Sequence, residues 1–180
     1  MYYLTNYDSI VGELTIASDG ENITGLWIKD QKYFEATLNK ESIKQDDLPI
    51  FKEVKKSLDK YFKGEKTDFS RIALKPEGSA FRQEVWKLLC EIPYGELVTY
   101  GDIAKKIALK LGKKTMSGQA VGGAVGHNPI SILIPCHRVI GINKSLTGYA
   151  GGIDKKIKLL ELEGIDIAKY KVPTKGTAIG

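Results

Sequence analysis

Cysteine and histidine are scarce in this chain of 180 residues, which contains only two of each. Two cysteines, Cys90 and Cys136, cannot build a disulfide framework, and alone they cannot complete a four-ligand zinc site. We therefore expect no structural metal. Free thiols are typical of a reducing compartment, so we expect a cytoplasmic location.

Long apolar runs are also missing. No stretch approaches the roughly 18 residues that cross a bilayer, so we expect no contact with a membrane. The first six residues lack a basic region followed by an apolar one, so we expect no signal peptide. The composition is that of an ordinary globular protein, with 42% hydrophobic and 27% charged residues.

The net charge of +5 is unevenly distributed. Residues 1–75 carry 12 basic and 13 acidic side chains, whereas residues 76–180 carry 15 and 9. A basic excess in the second half would attract a polyanion such as DNA, although a surface that only keeps the protein soluble would look the same.

The first half alternates strand and helix signals. Residues 14–17 and 23–28 predict two strands, and the apolar spacing over 48–63 predicts a helix that ends at Gly64. The polar segment 64–78 predicts a linker. The fold class is therefore α/β in the wide sense, more narrowly α+β, with a small sheet–helix domain first and a mostly helical domain after it. We place the domains at 1–75 and 76–170 and a flexible tail at 171–180.

The second half predicts several helices. Ser79 caps a helix whose apolar stripe includes Cys90, which we assign to the core. Thr99 caps a second helix that ends at Gly112, and a polar turn leads to a third, 118–126, made almost wholly of small residues. This pair is a helix-turn-helix candidate. The small residues indicate either close approach of a large partner or tight packing between helices.

The segment that follows carries the reactive groups. The apolar run 130–134 predicts a buried strand that leads into Pro135-Cys136-His137-Arg138, and Asp154 caps a last helix ending at Gly164. A cysteine attacks only as the thiolate and needs a base, which His137 could be. Neighbours on a strand face opposite ways, so a water or a bend would have to connect them. Alternatively, Cys136 is a small core residue.

Two further side chains could assist this pair. Glu163 could orient His137, or it could be a solvated helix residue. Asn128 precedes Pro129, a common turn combination, and could also donate a hydrogen bond near the cysteine.

Several motifs together resemble a known family. The peptide from Ile134 to Val139 resembles the signature of the O6-alkylguanine-DNA alkyltransferases, also called methylated-DNA–protein-cysteine methyltransferases. The resemblance covers residues 79–165 and includes further motifs in the same order, namely Ile92-Pro93-Tyr94-Gly95-Glu96, Thr99-Tyr100, Ala120-Val121-Gly122-Gly123-Ala124, Asn128-Pro129, Gly148-Tyr149-Ala150-Gly151-Gly152, Leu159-Leu160 and Glu163-Gly164.

The resemblance implies a DNA repair protein that flips O6-alkylguanine out of duplex DNA and moves the alkyl group onto its own cysteine, once per molecule. It implies a helix-turn-helix in the minor groove, a monomer, and no metal or organic cofactor. The implied roles are alkyl acceptor (Cys136), water-mediated base (His137), its orienter (Glu163), proton donor that assists flipping (Tyr100), link from the helix-turn-helix to the active-site loop (Asn128), DNA contact (Gln119, Ala120, Gly122, Gly123, Arg138) and base-pocket wall (Tyr149, Ala150, Gly151).

The chain departs from the family at two points. Gln119 stands where the best-known members have an arginine that fills the gap left by the flipped base, and glutamine lacks the charge and the planar stacking group. The zinc ligands that some relatives carry in the first half are absent. Two other functions stay open on the residues, namely a lesion-sensing DNA-binding module that does not react and a cysteine hydrolase of small acyl substrates.

Overall fold

The computed structural model describes residues 1–38 and 41–173. Its first half is a four-stranded sheet of β1 (Tyr2–Ser9), β2 (Gly12–Ser18), β3 (Ile23–Ile28) and β4 (Ser42–Lys44), in the order β3-β2-β1-β4. Neighbouring strands are antiparallel except β4, which runs parallel to β1. Helix α1 (Pro49–Phe62) packs on β1 and β2. The strands predicted at 14–17 and 23–28 and the helix over 48–63 are confirmed.

The second half is mostly helical. It consists of α2 (Ala80–Cys90), β5 (Val98–Thr99), α3 (Tyr100–Lys110), α4 (Gly118–Gly126), β6 (Val139–Ile140) and α5 (Ile153–Leu162). The side chains of Ser79, Thr99 and Ser117 each accept the backbone N–H three residues on, which satisfies a donor that the helix leaves free. Because α2 and α3 both pack against α4, the helix-turn-helix has a firm base. The predicted α+β class is confirmed.

The run before the reactive cysteine is not the strand that we predicted. Residues 131–133 form a tight turn in which Ile132 adopts a left-handed φ of 72°, and Cys136–Arg138 form a single turn of 3-10 helix. Every residue from 128 to 140 is buried, so its apolar character reports burial and not an extended backbone. The opposite-face argument for Cys136 and His137 therefore does not apply.

Two smaller predictions are also wrong. Cys90, the last residue of α2, is exposed and borders a surface cleft, because the buried face of this helix consists of Val85, Trp86 and Leu89. Asp154 does not cap α5; Gly152 occupies the N-cap, with φ of 95°, and Asp154 lies in the first turn.

The two halves share one core, and their backbones are directly joined. In the sheet, Leu26 N–H donates to Pro129 O (2.9 Å), and Ser131 N–H donates to Leu26 O (2.9 Å). The edge of the first half thus supports the turn that leads to Cys136. The domain division at 75/76 stays a prediction.

The end of the described chain is held by Lys171, which donates to Lys144 O (2.8 Å) and accepts from Leu146 N–H (2.9 Å). Of the tail predicted over 171–180, residues 174–180 lie outside the described residues. Within the described ranges, no helix is long and apolar enough to cross a membrane.

Candidate active site

Asn128 shapes the loop that carries the cysteine. Its Nδ2 donates to Ile134 O (2.8 Å), and its Oδ1 accepts from Ile130 N–H (3.0 Å). The side chain is buried directly after the C-cap of α4, so it ties the end of the helix-turn-helix to the turn before Cys136. Because removing it would leave a buried carbonyl and a buried N–H unpaired, this loop depends on Asn128.

His137, Glu163 and Arg138 form a buried network next to Cys136. The imidazole Nε2 lies 2.5 Å from Glu163 Oε2, and Arg138 Nε donates to Glu163 Oε1 (2.8 Å). Since a carboxylate only accepts, Nε2 carries the proton and Nδ1 keeps its lone pair. That Nδ1 is buried and has no hydrogen-bond partner among the described residues. The histidine therefore presents a free proton acceptor inside the protein.

Burial sets the protonation states of this network. Burial lowers the pKa of His137, although the Glu163 carboxylate opposes this, so the imidazole is neutral near pH 7. Burial acts to raise the pKa of Glu163, but its bonds to His137 and Arg138 outweigh it and leave the pKa lowered. Burial also raises the pKa of the Cys136 thiol, opposed by Asn128 and by the charge of Lys156. The resting sulfur is thus a thiol that needs a base.

Tyr100, Cys136 and Tyr149 line a cavity of ≈200 Å³. The Tyr100 hydroxyl points to Thr147 O (3.3 Å) and Gly148 O (3.2 Å). A Cβ at Gly148 would lie 2.6 Å from that hydroxyl, and the φ of 75° also favours glycine, so the loop can approach Tyr100 only with glycine there. A larger cleft of ≈700 Å³ lies beside Cys90 and Pro135 but does not include Cys136 among its lining residues.

Helix α4 borders the same cavity mainly with glycines, together with Val125. Gly122, Gly123 and Gly126 line it, and a Cβ added at any of them would meet no atom within 4 Å. Tight packing between helices, one of our two explanations for the small residues, therefore does not account for these three glycines, although α4 packs against α2 and α3 through its buried residues. Gln119 and Ala120 lie on the exposed side near the start of α4, so this face is free to meet a partner.

Most of the predicted site residues come together, but Arg138 requires a correction. Ala150 and Tyr149 line the cavity, and a Cβ at Gly151 would lie 2.8 Å from the Tyr149 ring. Arg138, which we had assigned to DNA contact, is only 6% exposed and also donates to Ile92 O (2.7 Å). Because the side chain is buried and its Nε and Nη1 donate to groups inside the protein, it serves the Glu163 network and not a DNA surface.

Sequence reasoning missed two buried polar groups at the site. Tyr61 in α1 donates to Glu163 Oε2 (2.7 Å); it had been counted only as an apolar helix position. Lys156 in α5 is fully buried, and its Nζ donates to Val139 O (2.5 Å), Thr147 O (3.1 Å) and Gly148 O (3.1 Å). The polar tip of a core tyrosine usually finds a partner, which was the one available signal for Tyr61.

Fold and site together define a helix-turn-helix protein with a buried cysteine beside a neutral histidine. The family model for the 6-O-methylguanine DNA methyltransferase DNA-binding domain matches residues 80–165, and that for the ribonuclease-like domain matches residues 1–76. A methylated-DNA–protein-cysteine methyltransferase of Haemophilus influenzae is 49% identical over 91% of this chain and 87% of its own length. One of Methanosarcina acetivorans is 42% identical over 91% and 99%.

Solved structures agree with this. Mycobacterium tuberculosis O6-methylguanine methyltransferase superposes with a TM-score of 0.75 at 41% identity, covering 91% of this chain and 93% of that one. Mycobacterium tuberculosis OGT in complex with DNA gives a TM-score of 0.77 at 40% identity, covering 94% of each chain. The chain belongs to the methylated-DNA–protein-cysteine methyltransferase family. The resemblance drawn from the motifs, and the class of reaction that it implied, are thereby confirmed.

Proposed function

We propose that this chain repairs DNA by moving the alkyl group of O6-alkylguanine onto its own Cys136. The observation that carries the proposal is that Cys136 and Tyr100 line one base-sized cavity, bordered by the bare backbone of α4. A reacting guanine can reach such a cavity only if it leaves the base stack, so the proposal includes flipping.

The neighbouring groups account for each proton in the transfer. His137 Nδ1 takes the thiol proton through a water, and Glu163 stabilises the imidazolium that forms. The sulfur attacks the alkyl carbon, the carbon–O6 bond breaks, and its electron pair stays on the guanine. Tyr100 donates a proton to the leaving base and later recovers one from His137. The products are a thioether at Cys136 and an ordinary guanine.

Single turnover follows from the product. A thioether has no good leaving group, so water cannot regenerate the thiol as it regenerates an acyl-enzyme. Each molecule would therefore act once. The proposed chemistry assigns no step to a metal or an organic cofactor.

The surface next to the cavity fits duplex DNA. Close approach to a narrow minor groove requires a helix without bulky side chains, and the outward glycines of α4 meet no atoms of the chain itself. Gln119 on this face would fill the gap that the flipped base leaves. The relative that was solved with DNA supports the partner.

Mass spectrometry after incubation with a duplex containing O6-methylguanine tests the proposal. We expect one added methyl group on the Cys136 peptide and a burst whose amplitude equals the protein concentration. Repeated turnover of small esters without this mass would instead indicate a hydrolase. Cys136→Ser should abolish transfer and keep DNA binding; binding without a methyl adduct in the unsubstituted protein would indicate a lesion sensor.

The molecular context follows from the same observations. We propose that the protein works as a monomer, as the family resemblance implies. We infer a reducing compartment such as the cytoplasm, because its two cysteines are free and a reactive thiol is preserved only under reducing conditions.

A further inference from the structure

Two aromatic rings from opposite halves of the chain meet at the reactive cavity. Tyr33, in the loop after β3, stacks on His127, the C-cap of α4, with ring centroids 3.9 Å apart and planes 24° from parallel. Both residues line the same cavity as Cys136. This pair, which we call the aromatic lip, belongs to none of the catalytic roles given above.

The backbone just before Tyr33 is fixed to the walls of the cavity. Lys32 N–H donates to Ala150 O (3.0 Å), in the wall opposite α4. The buried Gln31 side chain accepts from Ile28 N–H (2.7 Å) and from Ser131 Oγ (3.3 Å), in the turn before Cys136. Tyr33 itself has a left-handed φ of 58°, which a bulky residue rarely adopts without reason. The backbone of Tyr33 is therefore held beside the cavity, and movement of the ring is left to its side-chain torsions.

The other walls of the cavity leave little room to adjust. On one side stands the helical backbone of α4, and His127 Nδ1 is bound to Gly123 O at 2.7 Å. On the other side, the carbonyls of Thr147 and Gly148 are held by Tyr100 and Lys156. Tyr33, by contrast, is 50% exposed, so its ring can turn toward solvent with the loss of its stacking on His127.

The volume makes this difference matter. A cavity of ≈200 Å³ is smaller than the roughly 300–1,000 Å³ of sites for drug-sized ligands, so it suits one base with a small substituent. A longer substituent on the same base has to displace a wall. Of the walls described, the Tyr33 ring of the aromatic lip is the one that can move.

We propose that Tyr33, stacked on His127, is the residue that sets the size of the O6-alkyl group that this protein accepts. The proposal rests on the proposed alkyl transfer to Cys136 and adds a specificity-determining residue from the first half of the chain. The stacked lip accommodates a methyl group, and a longer chain must open it.

The test uses a series of DNA duplexes with alkyl groups of increasing length, namely O6-methyl-, O6-ethyl- and O6-butylguanine. Single-turnover rate constants are read as alkyl mass on the Cys136 peptide. Tyr33→Ala should raise the ratio of the butyl to the methyl rate constant by about tenfold or more, since each methylene that is crowded out costs at least about that factor. His127→Ala should change the ratio in the same direction, and the double variant should gain less than the product of the two, because the rings act as one unit.

Two controls make the outcome specific. Phe34→Ala removes the neighbouring exposed ring, which packs near Trp27 (6.3 Å) and does not line the cavity, and should leave the ratio as it is. Tyr33→Phe retains the ring and should restore the original ratio. If Tyr33→Ala changes all three rates by one factor, or leaves the ratio unchanged, the lip does not select by size. If the unsubstituted protein gains no alkyl mass at all, the proposed alkyl transfer fails instead.

Discussion

Tyr61 and Glu163 are 102 residues apart in sequence, yet the tyrosine hydroxyl donates a 2.7 Å hydrogen bond to the carboxylate that holds His137. Helix α1 of the first half thus reaches into the network beside the reactive cysteine. The Glu163 carboxylate consequently has four hydrogen-bond donors around it, namely the side chains of Tyr61, His137 and Arg138 and the backbone N–H of Gly95 (3.0 Å).

Tyr61→Phe should weaken both the fold and the reaction. Losing a buried hydrogen bond to a charged group costs about 1.5–3 kcal/mol, so the free energy of unfolding in urea should fall by about that amount. The transfer rate should also fall, because Glu163 is freer to turn away from His137. Tyr94→Phe is the matched control, since its hydroxyl contacts the carbonyls of Gly64 and Leu162 and not Glu163. Equal transfer rates in the two variants would contradict the link to His137.

The pH dependence of the transfer rate should report the burial of His137. Only the neutral imidazole accepts a proton, and its pKa is lowered from the ordinary 6.5 chiefly by burial. The midpoint of the decline in single-turnover rate with falling pH should therefore lie below pH 6.5. A half-maximal rate at or above pH 6.5 would mean that the histidine is not shielded in this way.

Gly123→Ala should move stability and DNA affinity in opposite directions. A Cβ there meets no atom of the chain, and alanine favours a helix over glycine by about 0.8–1.0 kcal/mol, so the melting temperature should rise. The same methyl group would hold the helix away from the groove, so affinity for duplex DNA should drop in a titration. An unchanged affinity would leave the bare face of α4 without a function in binding.

Gln119→Ala should slow repair and weaken binding to damaged duplexes, because nothing then occupies the space of the flipped base. Gln119→Arg should do the reverse, since a guanidinium stacks and carries charge. The comparison is made with matched damaged and undamaged duplexes. No change in the alanine variant, in affinity and rate alike, would remove the finger role from this position.

Lys156 should make stability rise at alkaline pH. Burial lowers its pKa to about 8, against ~10.4 in an unfolded chain. Below pH 8 the folded and the unfolded chain both keep the Lys156 proton, so the folded state bears the full cost of the buried charge. Above pH 8 the folded state loses this proton before the unfolded state does, so the free energy of unfolding rises. Relative to Lys156→Met, the free energy of unfolding should grow by about 2 kcal/mol from about pH 7.5 to 9.5. A flat difference would mean that the amine stays charged throughout.

The sequence was sufficient where local chemistry decides the structure. Ser79 and Thr99 have side chains that cap helices, and α2 and α3 begin directly after them, as predicted. It was insufficient where burial decides. The apolar run at 130–134 is equally compatible with a strand, and in the structure hydrogen bonds with Leu26 and Asn128 help to hold it in a turn.

The candidate site divides in the same way. Cys136, His137 and Glu163 were identifiable because their motifs are specific in combination. Tyr61 was not, since its spacing in α1 reflects the apolar face of the helix and its partner lies in the other half. Arg138 was misplaced because adjacency to the cysteine says nothing about which way a side chain on a 3-10 turn points.

The backbone bonds between Leu26 and the turn at Pro129 and Ser131 have a consequence for anyone who exchanges halves between relatives. A first half taken from a relative must place a backbone N–H and C=O at the position that Leu26 occupies in β3. If the edge strand of a graft slips by one residue, its side chains turn to the wrong face. The buried Pro129 C=O and Ser131 N–H, a few residues from the sulfur, are then left without hydrogen-bond partners. The two halves are thus matched to each other by the register of these backbone hydrogen bonds as well as joined by the peptide chain.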